Sequence, residues 1–492
     1  MSRQVNSGGV CMCYLVVEMR SELTKTKIVC TIGPASSTAT VVSRMIGAGM
    51  NVARLNFSHG TVGEHAAQIR LIRAVARRKN AAVGILADLP GPKIRVGRIS
   101  PEPVELKSGS RLILTARRLV GNQRIVSLSH PSILGHLRKG DRVFLEDGTV
   151  RLEVLDSKGD EAVCKIITGG SLSSGKGVNL PDKGMKPGAM TRRDVELLKF
   201  ALANGVDFIG ISFVTTSKDL LRARRILDAA NSKAWLIAKI ETRLAVENFA
   251  NIVKRANGIM VARGDLGVEM NVEDVPVLQK EIIGKSNAAG KPVITATQML
   301  ESMVNNPTPT RAEVTDIANA IIDGTDAVML SEETAVGKYP VEAVDVMRKV
   351  AGATEKNLDY GALLDARRAR LKPIVQETIS FSACDVAYAL KAGCIVANTR
   401  TGLTAHRVSR YRSPVPIIAL TYTTPVTNRL SLLWGVYPHR VKKLSTTAEI
   451  FTAAKLAAKS SGTVKEGGKI VVVCGDPSTP TGTTDLLRVQ TA

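Results

Sequence analysis

Aromatic side chains are scarce in this chain: Phe, Trp and Tyr make up 3% of 492 residues, with 2 Trp. A surface that stacks nucleobases needs such rings. The hydrophobic 44% is therefore carried by Val, Ile, Leu and Ala, which suit parallel strands covered by helices. Acidic residues are also outnumbered, 44 against 67 Lys and Arg, for a formal charge of +23. The basic residues are dispersed over helix faces such as 70–79, 222–225 and 367–372. No nucleic-acid module accompanies them, so nucleic acid is not an expected partner. A basic surface that attracts small anions fits the same charge. The seven Cys, at 11, 13, 30, 164, 384, 394 and 474, lack paired metal-ligand spacing, and cytosolic free thiols are expected. No apolar run is long enough for a membrane span. Residues 10–17 (VCMCYLVV) resemble a short signal core, but Glu18 and Arg20 follow with no clear cleavage site. Residues 1–23 are expected to form an unstructured extension, with initiation at Met19 as the alternative, on a cytoplasmic protein.

At this length two to four domains are expected. From residue 25 short apolar runs alternate with amphipathic helical stretches, the pattern of βα units. Eight strands are expected: 27–32, 51–57, 82–88, 206–213, 234–241, 258–265, 292–298 and 327–330. Thr191 precedes Asp194, and Thr310 precedes Glu313, by three residues, so each pair predicts a capped helix start. About 90 residues of short alternating strands, roughly 91–178, interrupt the cycle after the third strand, with hairpin-like spacing at 139–141 and 146–148. A further α/β segment starts near Asp359, with strands 394–398, 416–421 and 469–474. The expected architecture is a (β/α)8 barrel over 24–90 and 179–345, an inserted small β-barrel lid domain over 91–178, and a C-terminal doubly wound α/β domain over 346–492.

Barrel enzymes carry their chemistry at the carboxyl ends of the strands, and the polar residues cluster there. Strand two ends in Arg54, Asn56 and Ser58, strand three in Asp88, strand four in Ser212, and strand five in Lys239 and Glu241. Strand six ends in Arg263-Gly264-Asp265, strand seven in Thr295 and Thr297, and strand eight in Ser331. Residues two apart share a face, so Lys239 and Glu241 are expected to point together. Two carboxylates on neighbouring strands, Glu241 and Asp265, suit Mg2+, with Mn2+ as the alternative. With Lys239, Arg54 and Arg95 around them, the group suits a phosphate, and phosphoryl transfer depends mainly on positioning and charge neutralisation. A Mg2+-dependent enolate-forming lyase or aldolase would use the same two carboxylates, but the inserted domain and Lys239 favour phosphoryl transfer.

Long segments of the chain closely resemble the pyruvate kinase family. They include TKIVCTIGPAS (26–36), MNVARLNFSHG (50–60), ADLPGPKIRVG (87–97), GKGVNLP (175–181), LIAKIE (236–241), IMVARGDLGVE (259–269), TATQMLESM (295–303), the run 309–340, SRYR (409–412) and GTTDLLRV (482–489). The resemblance implies phosphoryl transfer from phosphoenolpyruvate to ADP, giving pyruvate and ATP at the last step of glycolysis. It implies Mg2+ on Glu241 and Asp265, with Lys239 stabilising the phosphoryl in flight and Arg54 binding it. Thr297 would help protonate the enolate through water, and the amides around Gly264 and Asp265 would receive the substrate carboxylate. His59 and Lys176 match positions near ADP, and Arg95 one reached when the lid closes.

Many members bind K+ through positions matching Asn56, Ser58, Asp88 and the backbone of residue 89, with Thr and Glu where this chain has Leu89 and Lys93. That departure resembles members that need no K+, so K+-independent activity is expected. Glu146-Asp147 replaces a common pair of aspartates, and Pro181-Asp182-Lys183-Gly184 departs from the usual glycine after the proline. The loop Thr399-Arg400-Thr401-Gly402-Leu403-Thr404 resembles the family's effector phosphate site; sugar phosphate and AMP both stay open. A homotetramer is what the family implies.

Overall fold

Apolar runs that are buried on both faces pair in parallel only through crossovers, and eight such runs do so here. The computed structural model describes residues 23–180, 190–480 and 482–492. Cys11, Cys13 and the segment 181–184 singled out above lie outside them. Strands Lys27–Thr31, Met50–Asn56, Gly84–Asp88, Phe208–Ile211, Trp235–Ile240, Gly258–Ala262, Val293–Ala296 and Ala327–Leu330 lie side by side in that order, and the last pairs back with the first. The result is the closed parallel barrel that the alternating pattern predicts. Val29, Val52, Leu86, Phe208, Ile237 and Met260 fill its interior, so it is a packed core and not a pore. Leu432, far along the chain, joins the same cluster.

Both predicted helix starts form reciprocal caps. Asp194 N–H donates to Thr191 Oγ1 at 3.1 Å while Thr191 N–H donates back to Asp194 Oδ2 at 2.7 Å. Thr310 and Glu313 repeat this at 3.3 and 2.8 Å. Each cap contributes about 1 kcal/mol.

Two barrel strands stop earlier than the sequence suggests. The sixth ends at Ala262, and Arg263–Glu269 is a short helix, so Asp265 stands on its first turn. The seventh ends at Ala296, because Thr297 and Gln298 adopt left-handed backbone with φ of 72° and 53°. Ala262 opposite Ala296 is the last pair of that ladder. Beyond it no partner is left for an extended chain, and the Gly264 N–H donates instead to Thr297 Oγ1 at 2.8 Å.

The chain leaves the third strand through Gly91, whose φ is 69° and where a Cβ would stand 2.9 Å from the Phe213 ring. The insertion then forms a seven-stranded sheet in the order Ile94–Arg95, Gly177–Asn179, Arg142–Leu145, Val150–Lys158, Glu161–Thr168, Arg111–Thr115 and Ile125–Ser127, with a two-stranded ribbon of Val104–Leu106 and Gly170–Leu172 beside it. It curls into a half barrel around Leu112, Leu114, Val143, Leu145 and Ile166. Of the two expected hairpin turns, only Glu146–Gly148 joins adjacent antiparallel strands. Residues 139–141 instead follow the 3-10 helix Pro131–His136.

The C-terminal sheet runs Val436–Arg440, Ile417–Thr421, Cys394–Asn398, Lys469–Cys474, Leu486–Thr491, with a separate apolar cluster including Phe381 and Val408 or Ile450 and Ala454 on its helices. Its first four strands are parallel and the last is antiparallel. The sequence reading omits both outer strands. Pro438 weakens the signal of the first, yet an edge position tolerates it. Buried Arg412 ties this segment to the barrel through Asp326 at 2.7 and 3.0 Å. Buried Lys27 donates to the carbonyl of Val436 at 2.7 Å.

Candidate active site

The fifth barrel strand delivers Lys239 to the rim, where its ammonium meets oxygens from its own strand end and from the ends of the third and fourth strands. It lies 2.8 Å from Glu241 Oε1 and 3.2 Å from Asp88 Oδ1, and donates to Ser212 Oγ at 2.8 Å. Burial alone favours neutral lysine, but Asp88 and Glu241 outweigh it and push its pKa above the ordinary lysine value. A lysine held charged in this way cannot serve as a base. What it offers is a fixed positive charge.

Asp88 is pushed up by burial and pulled down further by Lys239 and Arg54, so it remains below the ordinary carboxylate value. Arg54 meets it through Nε at 2.8 Å and Nη2 at 2.7 Å, and its Nη1 donates to Thr31 Oγ1 at 2.8 Å. Three of the five guanidinium hydrogens are thus used, leaving two for an anion.

Glu241 is buried, and burial, with the charge of Asp265 adding to it, raises its pKa despite Lys239. Its Oε2 accepts from the Phe213 N–H at 2.6 Å, a donor aimed by left-handed backbone at Phe213, φ 52°. Asp265 is about a quarter exposed, with Lys93 Nζ 3.3 Å from its Oδ1. Two carboxylates that repel one another, one buried and one open to solvent, fit a divalent cation that takes its remaining ligands from water and substrate. Among the described residues no cluster of three or more His, Cys, Asp or Glu offers a fuller cage.

Thr297 faces Gly264, and Arg263 secures its loop by donating to the Thr297 carbonyl at 2.6 Å while pairing with Asp316 at 2.7 Å. Thr295, by contrast, alternates with the inward Ile294 and Ala296 and bonds Thr325 at 2.9 Å on the outer side of the barrel, away from this group. Asn56 Oδ1 accepts from the Ser58 N–H at 3.1 Å, and the Leu89 carbonyl accepts from Ser212 Oγ at 2.7 Å.

Arg95 and Lys176 sit on the lid. Arg95 donates to the Gly175 carbonyl at 2.8 Å, and Lys176 pairs with Glu146 at 2.6 Å. The lid turn Glu146–Gly148 abuts the helix that carries Asp265, since a Cβ on Gly148 would stand 3.6 Å from Val268. His59 is exposed on the loop after the second strand, and its carbonyl faces His65 Nε2 at 2.9 Å. The structure therefore joins Arg54, Asp88, Lys239 and Glu241 in one network and Lys93, Asp265, Gly264 and Thr297 beside it. His59 instead bonds through its backbone, to Asn56 and His65. Thr31 and the Phe213 amide were not legible beforehand: the first needs the register of strands one and two, the second a backbone angle.

In the C-terminal segment, Gly402 (φ 95°) donates to Thr399 Oγ1 at 3.0 Å and starts the helix Leu403–Ser409. Thr404 Oγ1 lies 3.1 Å from Thr484 Oγ1. A pocket over this loop is lined by Arg400, Thr401, Lys442 and Lys443 among others.

Comparison with known proteins agrees with this arrangement. The profile of the pyruvate kinase barrel domain matches residues 23–344, and that of the pyruvate kinase alpha/beta domain matches residues 377–490. The chain is 44% identical over 469 residues to a pyruvate kinase of Geobacillus stearothermophilus, covering 95% of this chain and 80% of that protein. It is 43% identical over 471 residues to the pyruvate kinase of Thermococcus litoralis, covering 94% and 98%. A crystal structure of a pyruvate kinase from Cryptosporidium parvum superposes with a TM-score of 0.90 at 37% identity, covering 95% of this chain and 96% of that one. This chain belongs to the pyruvate kinase family and is a phosphotransferase.

Proposed function

We propose that the rim network described above transfers the phosphoryl group of phosphoenolpyruvate to ADP, with Lys239 as its electrostatic centre. The observation that carries this is the triple engagement of Lys239 by Asp88, Glu241 and Ser212, which fixes one full positive charge at the barrel mouth. Such a charge stabilises a phosphoryl group in transit without rearranging during the reaction. The two remaining hydrogens of Arg54 bind phosphoryl oxygens. The Gly264 and Asp265 amides, at the start of a helix, receive the substrate carboxylate, and Thr297 Oγ1 directs a water toward the enolate carbon. Glu241 and Asp265 hold Mg2+, which pyruvate kinases use and which, when bound, neutralises substrate oxygens; Mn2+ suits the same ligands. His59, Arg95 and Lys176 take the nucleotide, the last two arriving with the lid, whose approach excludes water.

Activity without K+ belongs to the same reading. Lys93 already places an ammonium on Asp265, Arg54 and Lys239 occupy Asp88, and Asn56, Ser58 and Leu89 are bonded within the chain. The Thr399–Thr404 loop, with Lys442 and Lys443 across the pocket, accepts a sugar phosphate or AMP as effector. Exposed apolar residues on and beside the helix Val375–Ala389, Ile374, Val375, Tyr388 and Leu390, support assembly into a homotetramer. No described helix is long and apolar enough to cross a membrane, and five described cysteines are buried and unpaired, which supports a cytoplasmic setting.

ATP formation from phosphoenolpyruvate and ADP, followed by a coupled assay with and without Mg2+, tests this reading. Activity should vanish when EDTA removes the metal. Carbon–carbon cleavage of a pyruvate-like substrate, with no ATP formed, would instead support the lyase alternative.

A further inference from the structure

Three cationic side chains surround a second cavity, remote from the barrel mouth, and have no carboxylate partner among the described residues. This cavity, about 240 Å3, lies where three parts of the chain converge. The end of the barrel helix Val275–Ala288 supplies one wall, the helix Tyr360–Arg368 and Lys372 a second, and Glu377, Arg410 and Tyr411 a third. The cationic groups are Arg367, Arg370, Lys372 and Arg410, and the carboxylates are Asp323 and Glu377.

Both carboxylates are already spoken for. Glu377 accepts from Arg410 Nη1 through both oxygens at 2.9 Å and from the Tyr411 hydroxyl. Asp323 pairs with Lys280 at 2.9 Å and accepts from Gln279 at 3.2 Å. The neighbouring carboxylate, Asp326, is saturated by Arg412 at 2.7 and 3.0 Å. Arg367, half-buried, and Arg370 and Lys372, both exposed, therefore line the cavity without an ion-pair partner among the described residues. Burial, followed by the nearby Arg412, lowers the Arg367 guanidinium to about 10, opposed in part by Asp326, with Arg410 and Arg370 adding to the lowering. Like charges gathered at one cavity repel one another, and an anion between them relieves that repulsion.

We propose that this cavity binds a small phosphate-bearing anion, using Arg367, Arg370 and Lys372. Planar guanidinium forks match phosphate oxygens two at a time, and lysine adds a point charge. A cavity below the usual 300–1,000 Å3 of small-molecule sites admits a single phosphate or a short phosphate ester, not a polymer. Because its walls come from the barrel, the connecting helix and the C-terminal segment, an anion here braces one against the other. The site does not depend on the roles assigned at the barrel mouth.

Arginine-selective modification by phenylglyoxal, read peptide by peptide in a mass spectrometer on the intact protein, tests it. Inorganic phosphate and glycerol phosphate at millimolar concentration should each slow modification of Arg367 and Arg370 about tenfold, while chloride at equal ionic strength should not. Protection by the ester alone assigns the site to esters; protection by both assigns it to phosphate itself. The doubly substituted R367Q/R370Q protein should lose one equivalent of phosphate binding by calorimetry and keep its phosphoenolpyruvate-to-ADP activity within about twofold in phosphate-free buffer. Equal protection by chloride, or undiminished phosphate stoichiometry in the variant, overturns the proposal. So does resistance of Arg367 to modification before any phosphate is added, because another copy of the chain would then cover the cavity.

Discussion

Lys239 Nζ lies 2.8 Å from Glu241 Oε1, and the two side chains, two residues apart on one strand, are both buried. The lysine thereby holds in place the carboxylate that is to carry the metal, and the carboxylate keeps the lysine charged. Replacing Lys239 with Met should lower kcat by about 10²–10³-fold or more, the cost of removing one preorganised electrostatic group. Lys239→Arg should not restore it, because a planar fork cannot meet Asp88, Glu241 and Ser212 together. Steady-state kinetics at saturating Mg2+ decides this, and a Met variant within tenfold of the parent would sink the assignment.

Lys93 stands 3.3 Å from Asp265 Oδ1, and in the proposed reading its ammonium makes a monovalent cation unnecessary. Replacing tetramethylammonium with K+ should change the rate by less than about twofold. Lys93→Glu should lower activity in tetramethylammonium at least tenfold, since it sets a second carboxylate beside Asp265, and K+ should recover much of the loss. A tenfold rise on adding K+ to the parent protein would contradict K+-independence.

Arg412 and Asp326 form a buried, doubly bonded pair between the C-terminal segment and the barrel. Arg412→Leu leaves Asp326 charged and buried without its partner, and should destabilise the protein by about 3–5 kcal/mol. Urea unfolding followed by circular dichroism measures it. An unchanged midpoint would mean that the pair does not hold the two parts together.

His406 faces Trp235, 5.7 Å away between ring centroids, and burial, countered only in part by Asp326, lowers its pKa from 6.5 to about 4. The unfolded chain therefore takes up a proton that the folded chain refuses. The resulting stability is complete above about pH 6.5 and is lost as pH falls toward 4. At about 1.4 kcal/mol per unit, this amounts to a loss of about 3 kcal/mol. Denaturation at pH 7, 5.5 and 4.5 should show a shallower acid slope in His406→Leu than in the parent. Parallel slopes would reject the assignment.

Much of the site was legible before any fold was known because barrel geometry restricts it to strand ends. Lys239 and Glu241 follow from the two-residue period of a strand, and Arg54 and Asp88 from lying at the ends of neighbouring strands. Asp265 was found by the same logic although it stands on a helix turn and not on a strand, since the residue sits at the rim either way. Thr31 and the Phe213 amide escaped the sequence reading. Each acts through register or backbone angle, and neither is visible in residue order.

Sequence alone determined the barrel, the presence of the insertion and the residue types at the rim, because periodicity and residue type are local properties that the chain expresses in its order. Tertiary structure decided the charge state of Lys239. An isolated lysine on a buried strand would favour its neutral form, and only Asp88, brought from the third strand, together with Glu241 beside it keeps it charged. It likewise decided the fate of the excess basic charge. Residues 367–372 read along the chain as an ordinary basic helix face, yet folding brings Arg367, Arg370 and Lys372 against a cavity whose carboxylates are already paired, and charge balance in a folded protein is settled by such long-range neighbours.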